Sequence, residues 1–166
     1  MRYDAHEVFP GLWQGSWPKP GRWLANQGVS TLVLCAYEYQ PPFAYPDFLA
    51  PLPGIRQANP WPGVRVIYAP NDDRSDQPPP RDVLQKAVEA GRVVAADLQM
   101  GRRVLSTCWQ GRNRSGLVSA LGLHMLLGIS GDAAVDIVRK NRRGAMTNPL
   151  FCEMLRKIQS VQPDEG

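Results

Sequence analysis

Cys108, Arg114 and Ser115 stand together in the segment TCWQGRNRSG, a cysteine followed after five residues by an arginine and then a serine. The segment leaves a short apolar stretch with strand character, residues 104–106, and runs into residues 117–127, which are apolar nearly all round. A strand, a glycine-containing polar loop and a helix N-terminus, in that order, bring successive backbone N–H groups onto an anion, and the helix dipole adds favourable potential. A thiol so placed drops from about 8.5 toward roughly 3.5–7.5 and becomes a nucleophile at neutral pH. Phosphate in the loop would sit directly above the sulfur. Arg114 would fold back and grip two phosphate oxygens with a planar fork that lysine lacks, offsetting charge as the phosphoryl group transfers. Ser115 would donate a hydrogen bond to the sulfur when it leaves the phosphoenzyme, and Gly111 eases the curve of the loop. Trp109, Gln110, Gly111, Arg112 and Asn113 complete the set of candidate substrate-binding residues. The pattern is short, and a cysteine before a helix is also a common small packing residue.

Positioning such a loop requires a sheet and a buried helix. Alternating apolar segments predict strands at residues 8–9 and 12–14, a short helix at 23–26 stopped by Gly28, a buried strand at 29–35 and another at 64–69. Pro80 opens a helix with apolar positions at Leu84, Ala87, Val88, Gly91, Ala95 and Leu98, ending at Gly101. Ser130, with Asp132 behind it, caps a further helix, and Asn148-Pro149 has the cap and first-turn chemistry of the last one. Between residues 39 and 63 the composition turns to proline and aromatics, over a length unusual for a connection in a compact domain. It reads either as a substrate-facing flap or as a surface loop packed by its own rings.

At 166 residues the chain fits one domain spanning 1–166, with no repeat or linker to divide it. A net charge of +4 suits anionic substrates, while no lysine/arginine run is dense enough to make nucleic acid a partner, except as a possible substrate. The N-terminus lacks an apolar signal core and residues 117–129 are too few to cross a bilayer, which predicts a soluble, cytoplasmic protein. Three cysteines with no CxxC pair and no nearby histidines make neither a disulfide framework nor a zinc site, and neither metal nor cofactor is expected. Cys35 and Cys152 read as packing residues, with a Cys35–Cys108 disulfide under oxidation as the alternative. His6 and His124 lack partners for a triad or a metal.

The loop and its surroundings resemble the dual-specificity branch of the protein tyrosine phosphatase superfamily. VFPGLWQGS is similar to that family's opening hairpin, NQGVSTLVLCA to the strand that follows, and VRKNRRGAMTNPLFCEML to its closing Val-Arg, Arg, Asn, Phe, Leu segment. Residues 39–63 have no counterpart. Low-molecular-weight phosphatases and arsenate reductases place Cys-x5-Arg near the N-terminus, and rhodaneses have a shorter loop. The resemblance implies an α/β phosphatase fold of the cysteine phosphatase II-like kind: a mostly parallel twisted sheet flanked by helices, with the phosphate loop between a central strand and a buried helix.

It also implies a general acid, an aspartate after the preceding strand that protonates the leaving oxygen and then activates water. The family's Pro-x-x-Asp spacing points through Pro70 to Asp73, its Ala-x-Asn-Asp form points to Asp72, and Asp73 ranks narrowly ahead. Asp76 reads better as a turn residue. Asn148 corresponds to an asparagine that braces the loop, and capping the last helix is compatible with that. Thr107 departs from the family's histidine, which orders the loop and tunes the sulfur, so an active but slower enzyme is expected. Arg112 resembles the second basic residue of lipid-phosphate phosphatases, yet those commonly carry lysine where this chain has Trp109. Trp109 would stack on an aromatic substrate ring or wedge the loop. The implied partners are a phosphorylated protein or another anionic phosphate, and phosphate, sulfate or vanadate-like anions in the loop. Three functions follow in order: a phosphatase of protein phosphotyrosine, with phosphoserine and phosphothreonine; one of phosphoinositides or RNA 5′-triphosphate ends; and a phosphate-binding pseudophosphatase.

Overall fold

The computed structural model describes residues 2–37 and 59–161. Among the described residues ten elements follow the chain: β1 (Ala5–Phe9), β2 (Leu12–Gly15), α1 (Trp23–Asn26), β3 (Val29–Ala36), β4 (Arg65–Asn71), α2 (Arg81–Gln99), β5 (Arg103–Thr107), α3 (Arg114–Leu127), α4 (Gly131–Asn141) and α5 (Pro149–Arg156). The strands form one sheet in the order β1-β2-β5-β3-β4. Only the β1–β2 hairpin pair is antiparallel; β2–β5, β5–β3 and β3–β4 are parallel. The mostly parallel α/β sheet expected from the sequence is therefore present, with β5 flanked by β2 and β3.

Period-two alternation sorts the side chains of the central strands into two cores. Val33, Cys35, Ile67, Ala69 and Val104 face a large cluster with the helical residues Ala87, Ala90, Val94, Leu117, Leu121, Val135 and Phe151. Leu32, Leu34, Val66, Tyr68 and Leu105 face the other way, where Leu24 of α1, Trp61 and Val64 cover them. Each face of the sheet thus has helical cover. Trp61 belongs to the proline- and aromatic-rich stretch, and its indole Nε1 donates to the Lys19 carbonyl at 2.9 Å. That end of the stretch packs as core, whereas the flap reading of residues 39–58 lies outside the described residues.

The elements extend the sequence expectations by one to three residues at several ends. β4 continues through Pro70 to Asn71, because β4 is an edge strand in which a missing N–H interrupts no ladder. α3 begins at Arg114 rather than at residue 117, since its first turn is the polar floor of the loop. In α2 the most buried positions are Ala87, Ala90, Gly91, Val94 and Asp97, a stripe of smaller residues than the one read from hydrophobicity. Asp97 is buried there because Thr31 Oγ1 donates to its Oδ2 at 2.5 Å and Arg102 NH1 to its Oδ1 at 3.3 Å. Ser130 caps α4 by accepting from Ala133 N. No described helix is long and apolar enough to cross a membrane.

Candidate active site

The loop from Cys108 to Asn113 connects the end of β5 to the start of α3. Its carbonyls are held from outside, one after another. Trp17 N–H donates to Trp109 O at 3.4 Å. The Gln110 and Gly111 carbonyls accept from Arg142 NH2 and Nε at 2.8 and 2.5 Å. Gln14 Nε2 donates to Gly111 O at 3.0 Å and to Arg112 O at 3.4 Å, and Met146 N–H adds a bond to Arg112 O at 3.2 Å. In a planar trans peptide the N–H of the next residue points opposite to the carbonyl. Four carbonyls drawn outward therefore turn the N–H groups of Gln110, Gly111, Arg112 and Asn113 toward the loop's interior. That is the geometry of an anion nest at a helix N-terminus.

Cys108 lies at the base of this nest, 3 % exposed, with its Sγ 3.3 Å from Ser115 Oγ. Gly111 has φ +67°, and a Cβ there would overlap the Gly15 backbone, so the residue meets both a left-handed turn and a close approach to β2. Arg114 is 6 % exposed and its NH1 donates to Asn71 O at 3.2 Å, which ties the last residue of β4 to the first residue of α3. Trp109, Gln110 and Arg112 are exposed on the loop's outer rim, Trp109 at 46 %. Thr107 has its hydroxyl committed to the sheet, donating to Val33 O at 2.8 Å.

The three aspartates part company. Asp76 accepts two hydrogen bonds from its exposed neighbour Arg74, at 2.9 and 2.7 Å, and these hold its carboxyl below the usual range. Asp73 accepts from two side-chain amides, Asn113 Nδ2 at 3.0 Å and Asn148 Nδ2 at 2.8 Å. Asp72 lines an open cleft of about 320 Å³ together with Tyr37, Pro70, Asn71, Arg74 and the run Pro78, Pro79 and Pro80. Asn71 joins that cleft to Arg114, because its carbonyl is the one Arg114 donates to. Asn148 both caps α5, accepting from Leu150 and Phe151 N–H, and braces the loop through its own N–H on Asn113 Oδ1 at 2.9 Å.

Several contributors were given no role at the site in the sequence reading. Arg142, 3 % exposed, also donates to both oxygens of Asp4 at 3.2 Å and to His6 Nδ1 at 2.8 Å. Gln14 is fully buried under the loop, and Met146, at φ +56°, packs so closely on Gly116 that a Cβ there would overlap its sulfur. Their contacts span 30 to more than 100 residues of sequence, so no local pattern announces them; the lone signal was Gln14, a polar residue in an inward strand position. Behind the loop, Cys35 is fully buried, and burial first, then the nearby Cys108, pushes its thiol far above the ordinary range.

No family model and no curated protein matches the chain. Solved structures do. A mouse putative dual specificity phosphatase complexed with zinc tungstate aligns with a TM-score of 0.70 and 23 % identity, covering 95 % of this chain and 87 % of that one. Human DUSP28 aligns at 0.67 with 24 % identity over 95 % and 93 % of the two chains. PTPMT1 in complex with PI(5)P aligns at 0.69 with 18 % identity over 92 % of each. The fold is that of the dual-specificity phosphatases.

Proposed function

We propose that the protein is a cysteine-dependent phosphatase that hydrolyses phosphate monoesters through a phosphocysteine. The observation that carries this reading is the loop itself: four carbonyls held by Trp17, Arg142, Gln14 and Met146, beside a buried thiol with a hydroxyl 3.3 Å from the sulfur. Cys108 Sγ attacks phosphorus as the bond to the leaving oxygen breaks, and Arg114 together with the loop amides stabilises the equatorial oxygens. The general acid gives its proton to the leaving oxygen. The same carboxylate then takes a proton from water, whose oxygen displaces the sulfur, and Ser115 donates to the departing thiolate.

Asp72 suits the acid better than Asp73. A general acid needs an oxygen free to carry its proton to substrate, and both Asp73 oxygens already accept from amides. Asp72 lines the cleft that adjoins the Arg114 partner.

Protein phosphotyrosine, with phosphoserine and phosphothreonine, is the leading substrate class, supported by Trp109 beside the nucleophile as a surface for an aromatic ring. Phosphoinositides and other multiply anionic phosphates come second, favoured by the exposed Arg112 on the loop rim. Turnover of para-nitrophenyl phosphate by the wild type, and none by Cys108→Ser, is the expected result; binding of tungstate without turnover would instead identify a pseudophosphatase. Phosphopeptides, inositol phosphates and triphosphate-ended RNA, compared by kcat/KM, rank the substrate classes.

A further inference from the structure

Asn113 uses every polar atom of its side chain to tie three segments together. Its Oδ1 accepts from the N–H groups of Thr147 and Asn148 at 2.7 and 2.9 Å, and its Nδ2 donates to Asp73 Oδ2 at 3.0 Å and Thr147 Oγ1 at 3.2 Å. Asn148 closes the set from the other side, with Nδ2 on Asp73 Oδ1 and on Arg74 O, both at 2.8 Å. The Asp73 carboxylate is thereby clamped between a phosphate-loop residue and the cap of α5. Residues 72–78 are all exposed, with no apolar side chain sunk in the core, and the Arg74–Asp76 pair lies within the segment itself. Segments lacking buried apolar contacts open locally at little cost, so polar ties decide where such a segment sits.

We propose that Asp73 is a positioning residue, a latch that holds the acid-bearing segment against the phosphate loop so that Asp72 meets the leaving oxygen. This inference rests on the phosphatase reading above. The chemistry favours a carboxylate at 73, since it alone offers acceptors to both amides at once, whereas an asparagine there would turn a donor toward one of them. Because Asn113 also supplies one of the inward N–H groups, the latch joins the anion site to the acid segment through one residue.

The test uses pH–rate profiles on para-nitrophenyl phosphate for wild type, Asp72→Asn, Asp73→Asn, Asn148→Asp and the double variant Asp73→Asn/Asn148→Asp, with tungstate inhibition and hydrogen exchange of residues 71–77. A displaced catalytic group costs on the order of 100-fold. Asp73→Asn should lower kcat by about 10- to 100-fold, leave tungstate inhibition nearly unchanged, keep the pH limb that Asp72→Asn removes, and speed exchange in the segment. Asn148→Asp faces two carboxylates and should behave alike. The double variant restores an amide–carboxylate pair with the roles exchanged and keeps an acceptor at the α5 cap, while losing the bond to Arg74 O, and should recover part of the activity. Loss of the acid limb in Asp73→Asn would make Asp73 the acid itself and overturn the latch, as would unchanged kcat and exchange, or a double variant no better than the singles. If the wild type binds tungstate without turnover, the phosphatase reading fails, and the exchange measurement still decides the latch.

Discussion

Thr107 precedes the nucleophile, and its hydroxyl donates to Val33 O on the neighbouring strand. A buried neutral hydrogen bond of this kind is worth about 1 kcal/mol. Thr107→Val keeps the shape and removes the donor, so it should cost about 1 kcal/mol of stability, a Tm fall of roughly 2–4 °C in a chain of this size. Alkylation of Cys108 by iodoacetate should stay at the wild-type rate. A marked slowing would mean that the hydroxyl, and not only the loop amides and the α3 terminus, tunes the sulfur. Arg142 is the complementary case. It is a buried guanidinium whose donors are spent on two loop carbonyls, Asp4 and His6, so it shapes the nest without facing the anion.

At the scale of elements, α3 carries the loop at its N-terminus, and α2 packs against it through glycines. An alanine Cβ at Gly91 would lie 2.9 Å from Leu121 Cβ and 3.3 Å from Gly122 N, tighter than ordinary contact. Gly91→Ala gains about 1 kcal/mol of helix propensity and loses about 1–3 kcal/mol to overpacking. The second effect is the larger, so a net loss of about 1 kcal/mol should appear as a Tm lower by roughly 2–4 °C, with kcat little changed. A higher Tm would show that the crossing relaxes. The elements were legible for physical reasons: the apolar period of α2, the Ser130 and Asn148 caps and the strand alternation are local properties, and Cys108, Arg114 and Ser115 sit within eight consecutive residues. What stayed hidden is tertiary. Hydrophobicity overvalued Leu84 in α2, because the closest helix contact selects small side chains, and it missed Ala90, Val94 and Asp97. Asp72 and Asp73 are adjacent in sequence, and only the placement of Asn113 and Asn148, 40 and 75 residues from Asp73, separates their surroundings.

For the molecule as a whole, two acids near the loop, the buried Cys35 and the half-buried Tyr3, lower stability at alkaline pH. Burial raises the Tyr3 hydroxyl and the Cys35 thiol above their ordinary values, and in both it outweighs the opposing pull of the nearby arginine, Arg142 for Tyr3 and Arg114 for Cys35. The folded chain therefore keeps protons that the unfolded chain releases above about 8.5 for the cysteine and about 10 for the tyrosine. With fewer protons bound in the unfolded state, stability falls as pH rises, by about 1.4 kcal/mol per unit for each group past its unfolded value. Below about 8.5 the contribution of both is complete. Urea midpoints measured from neutral to alkaline pH should thus decline in the wild type from about 8.5 and more steeply above about 10. Cys35→Ala should flatten the first part of the decline and Tyr3→Phe only the second. Parallel curves for wild type and Cys35→Ala would mean that the thiol ionises in place, which its position behind Cys108 makes costly. The consequence for kinetics is direct: an alkaline fall in kcat reports on the catalytic groups alone only below this window, because above it the fold that holds the phosphate loop also loses stability.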